Sequence, residues 1–406
     1  MALATYVAAR ILGTWELYLL AVAFLAAVVV AWLLAIRVSR RLTAARTLSP
    51  SQPTSGDELT VSFRVANGSQ LPGLLVTLRD ATGDLGPSHE TIEFASLGSL
   101  QERSVTSTAL AARRGVHHLP ALWAEAEDPL GLVRARRRLS DPLDVTIYPR
   151  LAALSSCALF ANLGIQRGLS RRGLVRLGSS EFRGIRPHYP GEPLSHVDWK
   201  ATAKTGSLML REMDDPESGD ITVLLDGTAA GVAGEGARSS FELAVEAAGS
   251  VADFVLAAGR SVNLLMHDGA WRHTRLSPDV SGHRRLLDDL AGVKPNARAP
   301  LSAALPRLRV NGGSLARTQA LAVVALGLDS ELVRSLISLH KDGLQVSMVH
   351  VAADSFRPDA PPHDDPGLLV ALAAAGVLCL TLRQGDDLRT ALSYAQAERS
   401  LAGRPR

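Results

Sequence analysis

Two histidines and an aspartate in one short stretch are the residues of this chain best suited to moving a proton or holding a metal. His188, His196 and Asp198 combine imidazole with carboxylate, a pairing that shares protons and binds zinc. The spacing argues against both. The two histidines stand eight positions apart among Pro187, Pro190 and Pro193, so they cannot adopt the one-turn helical spacing of a metallopeptidase motif. Hydrolysis would also need an activated Ser or Cys close by, and none is recognisable. No Gly-x-Ser-x-Gly, Walker or dinucleotide fingerprint occurs elsewhere. Cys157 and Cys379, far apart in the sequence, read as small buried side chains rather than a disulfide framework. No cofactor is expected.

The elements around these residues are legible. From Asp220 onward apolar strands alternate with helices: ITVLLD, a helix from about Phe241 to Ala258, then VNLLMH. Ser239 and Glu242 have capping-box spacing, and Gly259 follows as a helix stop. Further strands are expected at Ala320 to Leu326, Gln345 to Val351 and Val377 to Leu382. Helices beginning near Ser281, Ser330, Gly367 and Asp387 separate or follow them. This order predicts a parallel, doubly wound α/β domain over 220–406. Over 58–150, short alternating runs such as Leu59, Val61, Phe63 and Val65 predict a β-sandwich domain. Residues 151–219 form a connector and signature segment, with Arg167, Arg171, Arg172 and Arg176 read as solvated charge and an acidic partner or phospholipid headgroups as the alternatives.

Residues 17–36 carry no charge and match the hydrocarbon thickness of a bilayer, so 1–41 reads as a single-pass membrane anchor. Trp15, Tyr18 and Trp32 suit the interfaces. Arg37, Arg40, Arg41 and Arg46 place the C-terminal side in the cytoplasm. Ala2 to Leu12 is apolar but too short for a second span, and the Ser-, Thr- and Pro-rich stretch 42–57 reads as an exposed linker. With 43 Lys and Arg against 40 Asp and Glu, the net charge of +3 implies no bulk nucleic-acid binding.

The segment from Gly178 to Asp226 resembles the signature of the domain of unknown function 58 family. The resemblance rests on Glu181, Phe182, Arg186, Tyr189, Gly191, the VDWK run of Val197, Asp198, Trp199 and Lys200, then Ala203, Leu208, Arg211 and Glu212. It extends backward through Arg113 to Val116, Asp128 to Leu132, and YPR at 148–150. It implies a membrane anchor, a β-rich domain and a C-terminal domain similar to the von Willebrand factor type A fold. It also implies a MoxR-type AAA ATPase as partner. Family members commonly carry a membrane hairpin where this chain shows one span. Glu192 stands where Asp is usual.

In metal-binding type A domains an Asp-x-Ser-x-Ser loop offers oxygens to a divalent cation. Here the loop is Asp226-Gly227-Thr228-Ala229-Ala230, and Ala230 supplies no oxygen, so the metal site is degenerate. Asp226 and Thr228 are instead candidate partner contacts, with loop capping by Asp226 as the alternative. Within the signature, Asp198 is expected to pair with Lys200 or Arg186, with Trp199 buried as an anchor. The expected role is a non-enzymatic adaptor for a MoxR-type AAA ATPase with an unknown client. A structural envelope factor ranks behind it and a membrane-associated hydrolase last.

Overall fold

A computed structural model describes residues 2–70, 74–79, 91–128, 131, 133–163, 165, 182–187, 199–213, 220–310, 315, 318–357 and 365–393. The chain divides into two units, Met1–Arg150 and Leu151–Arg406.

The first unit opens with helix α1 (Ala2–Leu12) and, after Gly13 in the left-handed region, helix α2 (Trp15–Arg41). An uncharged run favours a helix because every interior N–H finds a carbonyl within its own segment. The 27 residues of α2 are long and apolar enough to cross a membrane, whereas α1 is too short.

Helix α2 passes without a break into strand β1 (Leu42–Ser49), which pairs along its whole length with β2 (Glu58–Asn67). This corrects the linker expected over 42–57. The segment's Ser and Thr content conceals an alternation in which Leu42, Ala44, Arg46 and Leu48 turn inward and Thr43, Ala45, Thr47 and Ser49 outward. The other strands are β3 (Leu74–Arg79), β4 (Thr91–Leu97), β5 (Glu102–Leu110), β6 (Gly115–Leu119), β7 (Trp123–Glu127), β8 (Arg134–Arg138) and β9 (Leu143–Ile147). They form antiparallel sheets in the orders β1-β2-β5, β4-β3-β7-β8 and β6-β9. Leu59, Val61, Phe63 and Val65 bury one face of β2, as their alternation predicts. They share a core with Val76, Leu78, Leu119, Ala124, Ala126 and Ile147. Val38, from the last turns of α2, belongs to that same core.

In the second unit, β10 (Phe182–Pro187) and β11 (Met209–Met213) form a small antiparallel ladder, with helix α3 (Trp199–Thr205) between them in sequence. The main sheet follows with β12 (Asp220–Asp226), α4 (Ser240–Ala257), β13 (Val262–His267), β14 (Trp271–Leu276), α5 (Val280–Gly292) and α6 (Leu301–Val310). It continues with β15 (Thr318–Ala325), α7 (Ser330–Lys341), β16 (Gln345–Val351), α8 (Pro366–Ala374), β17 (Leu378–Leu382) and α9 (Leu388–Ala391). Strand order is β14-β13-β12-β15-β16-β17.

This sheet is mixed rather than wholly parallel, because β14 runs antiparallel to β13. The cause is the short turn at Asp268–Ala270, with Gly269 at φ +111°, since so brief a connection permits only an antiparallel return. The remaining pairings are parallel. Phe241, Val251 and Phe254 of α4 and Leu286 and Leu290 of α5 cover one sheet face. Leu305 of α6, Leu332 and Leu336 of α7 and Leu372 of α8 cover the other. With both faces covered, β12 is buried at every position after Asp220, and Val223 and Leu225 serve one core while Leu224 serves the other.

Candidate functional site

The strand order reverses direction between β12 and β15, and in open α/β sheets ligands favour the carboxyl ends of strands at such a point. Asp226 is the last residue of β12 and lies there. Its Oδ1 accepts hydrogen bonds from the Thr228 N–H at 2.9 Å and the Thr228 hydroxyl at 2.5 Å. Its Oδ2 accepts from the Leu326 N–H at 3.2 Å, just beyond β15. The carboxylate therefore ties its own loop to the neighbouring strand end.

The loop is held from other sides too. The Ala229 N–H donates to the Ala297 carbonyl at 2.9 Å, and the Ala297 N–H donates to the Gly227 carbonyl at 3.0 Å. Gly227 is required sterically, because a Cβ there would lie 2.3 Å from the His267 carbonyl oxygen. His267 ends β13, with its Nδ1 4.0 Å from Asp226 Oδ1 and its ring 5.0 Å from that of Trp271.

This geometry corrects the expectation that Asp226 and Thr228 offer a contact surface. Asp226 is 3% exposed and Thr228 is also buried, so the loop-capping alternative describes the carboxylate. The residues do not fit a hard divalent cation either. The Thr228 hydroxyl is committed to Asp226, and Ala229 and Ala230 carry no side-chain oxygen. Among the described residues, no cluster of three His, Cys, Asp or Glu forms a metal cage. His267 and the Leu326 amide were not anticipated from the sequence. The only clue was that Asp226 and His267 both end apolar strands, which the parallel register then sets side by side.

The signature residues divide differently. Phe182 and Arg186 lie on β10, and Arg211 and Glu212 on β11, where the register sets Arg211 opposite Ile185 and Glu212 opposite Gly184. Trp199 and Lys200 open α3. The expected burial of Trp199 is overturned: its indole is 67% exposed, on a seven-residue helix with no buried residue. The Thr202 hydroxyl, accepting from the Met209 N–H at 3.0 Å, links α3 to β11 instead. Glu181, Tyr189, Gly191 and Asp198 lie outside the described residues, as do His188, Glu192 and His196, so the Asp198 pairing and the His–Asp cluster have no geometry here. The arginines at 167, 171, 172 and 176 lie outside them too.

A family model described as "Protein of unknown function DUF58" matches residues 184–353. Residues 184–353 are similar to the DUF58 family. The match begins within β10 and runs through α3, β11 and the sheet to the end of β16, a narrower extent than the resemblance read from the sequence. Asp226, Thr228, His267 and Leu326 all fall inside the matched residues. The chain is 26% identical over 261 residues to the uncharacterized protein YeaD of Bacillus subtilis, an alignment covering 62% of each. Among solved structures, it is similar to the SpRpn10 VWA domain at 12% identity and a TM-score of 0.31, covering 43% of this chain and 93% of that one. It is also similar to a FixG-related protein from Vibrio parahaemolyticus at 9% identity and a TM-score of 0.18, covering 26% and 96%.

Proposed function

We propose that this protein is a membrane-anchored binding or assembly factor, not an enzyme, with its folded units on the cytoplasmic side. The reading rests on one observation: the carboxylate at the strand-order switch point has both oxygens engaged by its own chain. The position where a doubly wound sheet most often presents a ligand group is spent on fixing two loops. What is left for recognition is the outer surface of a stiff, doubly covered sheet of von Willebrand factor type A-like order, carried with a β-sandwich behind a membrane-length helix. The arginines after residue 36 favour cytoplasmic placement. The resemblance to the domain of unknown function 58 family supports a MoxR-type AAA ATPase as the partner.

The test is affinity purification of the full chain from mildly solubilised membranes of its native host, followed by mass spectrometry. Wild type is compared with Trp199→Ala, which alters an exposed aromatic without touching the switch-point carboxylate. Recovery of an AAA ATPase, reduced by Trp199→Ala, is the expected result. Consistent absence of any ATPase from preparations that retain the intact anchor would replace the adaptor reading with that of a structural envelope factor. Turnover of an ester, phosphoester or peptide by the purified chain that is lost in His196→Ala would overturn the non-enzymatic reading.

A further inference from the structure

The outer strand β8 reads Arg134-Ala135-Arg136-Arg137-Arg138 and occupies the edge of the β4-β3-β7-β8 sheet. Charge on an edge strand deters pairing with another sheet, so arginines alone would need no further account. Their position relative to α2 does. The Arg137 guanidinium donates through Nη1 to the carbonyl oxygens of Ser39 at 3.0 Å, Arg40, and Leu42 at 3.5 Å, capping the C-terminal end of α2. A cation there satisfies open carbonyls and complements the helix dipole.

That contact fixes the depth of β8. The uncharged run of α2 ends at Ile36, and Ser39 and Arg40 lie three and four residues further on. At about 1.5 Å per residue this is roughly 5 Å beyond the apolar run, within the headgroup layer of a bilayer that α2 spans. Arg134, Arg136 and Arg138 project from the other face of the same strand, largely open to solvent, and Arg37, Arg40 and Arg41, spaced i, i+3 and i+4, line one exposed side of the helix end.

Three carboxylates face the outer row: Glu127 is 3.3 Å from Arg134, Glu125 is 3.9 Å from Arg136, and Asp141 is 2.6 Å from Arg138. Arg136 also lies 4.3 Å above the Trp123 ring, which holds its guanidinium in a defined direction. These carboxylates match the outer row one for one, so the surplus positive charge comes from Arg37, Arg40, Arg41 and Arg137 at the foot of α2.

We propose that β8, with the arginines at the foot of α2, is a docking strip for anionic phospholipid headgroups that seats the first unit on the membrane surface. It rests on the reading of α2 as a membrane span. Guanidinium groups bind phosphate through paired N–H donors, and a basic strip beside a span is attracted to an anionic leaflet.

The test is hydrogen–deuterium exchange of the full chain in lipid nanodiscs, read on the peptide covering β8. Exchange there is expected to slow by about fivefold in phosphatidylserine-containing discs relative to pure phosphatidylcholine, as headgroups cover the edge. Arg134→Gln/Arg136→Gln/Arg138→Gln should abolish the difference. Arg134→Lys/Arg136→Lys/Arg138→Lys, which keeps the charge, should retain most of it. Equal exchange in both lipids, with the chain resistant to alkaline carbonate extraction, would overturn the docking strip and leave the anchor standing. Release by carbonate would overturn the anchor itself, and the strip with it. Slowing that appears only on adding an acidic polypeptide, in neutral discs, would assign the strip to a protein partner and also overturn the proposal.

Discussion

At the scale of single residues, Asp226 acts as a structural clasp. Replacing it with Ala strands the buried amides of Thr228 and Leu326, each worth about 1–3 kcal/mol when left unpaired. Asp226→Ala should therefore destabilise the second unit by about 3 kcal/mol, read as faster exchange of the β12 and β15 amides. Asp226→Asn, which keeps an acceptor, should cost less. Losing a partner with Asp226→Ala would then report unfolding rather than a lost contact. The position of this clasp was legible in the sequence, since Asp226 closes the first apolar strand of the α/β pattern. Its second attachment was not, because Leu326 lies 100 residues away and meets it only through the β12–β15 register.

Asp57 gives a separate residue-scale prediction. The Thr54 hydroxyl at 2.7 Å, then the Thr54 N–H at 2.9 Å, with Arg150 beyond, hold its carboxyl below the usual carboxylate range against a smaller opposing effect of burial. A lowered folded-state pKa stabilises the fold above the unfolded-state value, and that contribution disappears as pH falls through the folded-state value. Asp57→Asn should therefore lower the melting temperature at neutral pH, with the gap from wild type closing on acidification. Melting curves across an acid series measure it.

At the scale of elements, helix α4 shows how far local chemistry carries. The Ser239 hydroxyl accepts from the Glu242 N–H at 3.4 Å, and the helix runs from Ser240 to Ala257, within a residue of the extent expected from its sequence. Ser239→Ala should cost about 1 kcal/mol, measurable as a shift in the denaturation midpoint of the second unit. Strands β15, β16 and β17 were legible for the same reason: each is an apolar run bounded by polar turns. Strand β14, WRHTRL, was missed because an edge strand carries polar side chains that conceal its pairing. Helix α6 was missed because Pro306 sits inside it and breaks the expected pattern. Strand β1 is concealed by the Ser- and Thr-rich composition of its segment, which masks an inward-outward alternation.

At the scale of the whole molecule, the first unit does not begin where its β pattern becomes obvious. A chain starting at Glu58 would lack β1 and expose the edge of β2, along with apolar surface otherwise covered by Val38 and Leu42. Such a chain should aggregate on size exclusion, whereas one starting within α2, upstream of Val38, should remain dispersed in detergent.

The seamless passage from α2 into β1 has a mechanical consequence. Most tethered domains hang from a slack cord and sweep a wide volume. In a bilayer that α2 spans, as proposed above, the cord is replaced by a mast, bolted at its foot by Arg137 and by a side chain sunk in the adjoining core. The first unit can lean only as far as the mast leans, and spans in bilayers tilt by about 20° on average. Anything that changes bilayer thickness, and so the lean of the mast, would reorient that unit as a lever moves its load.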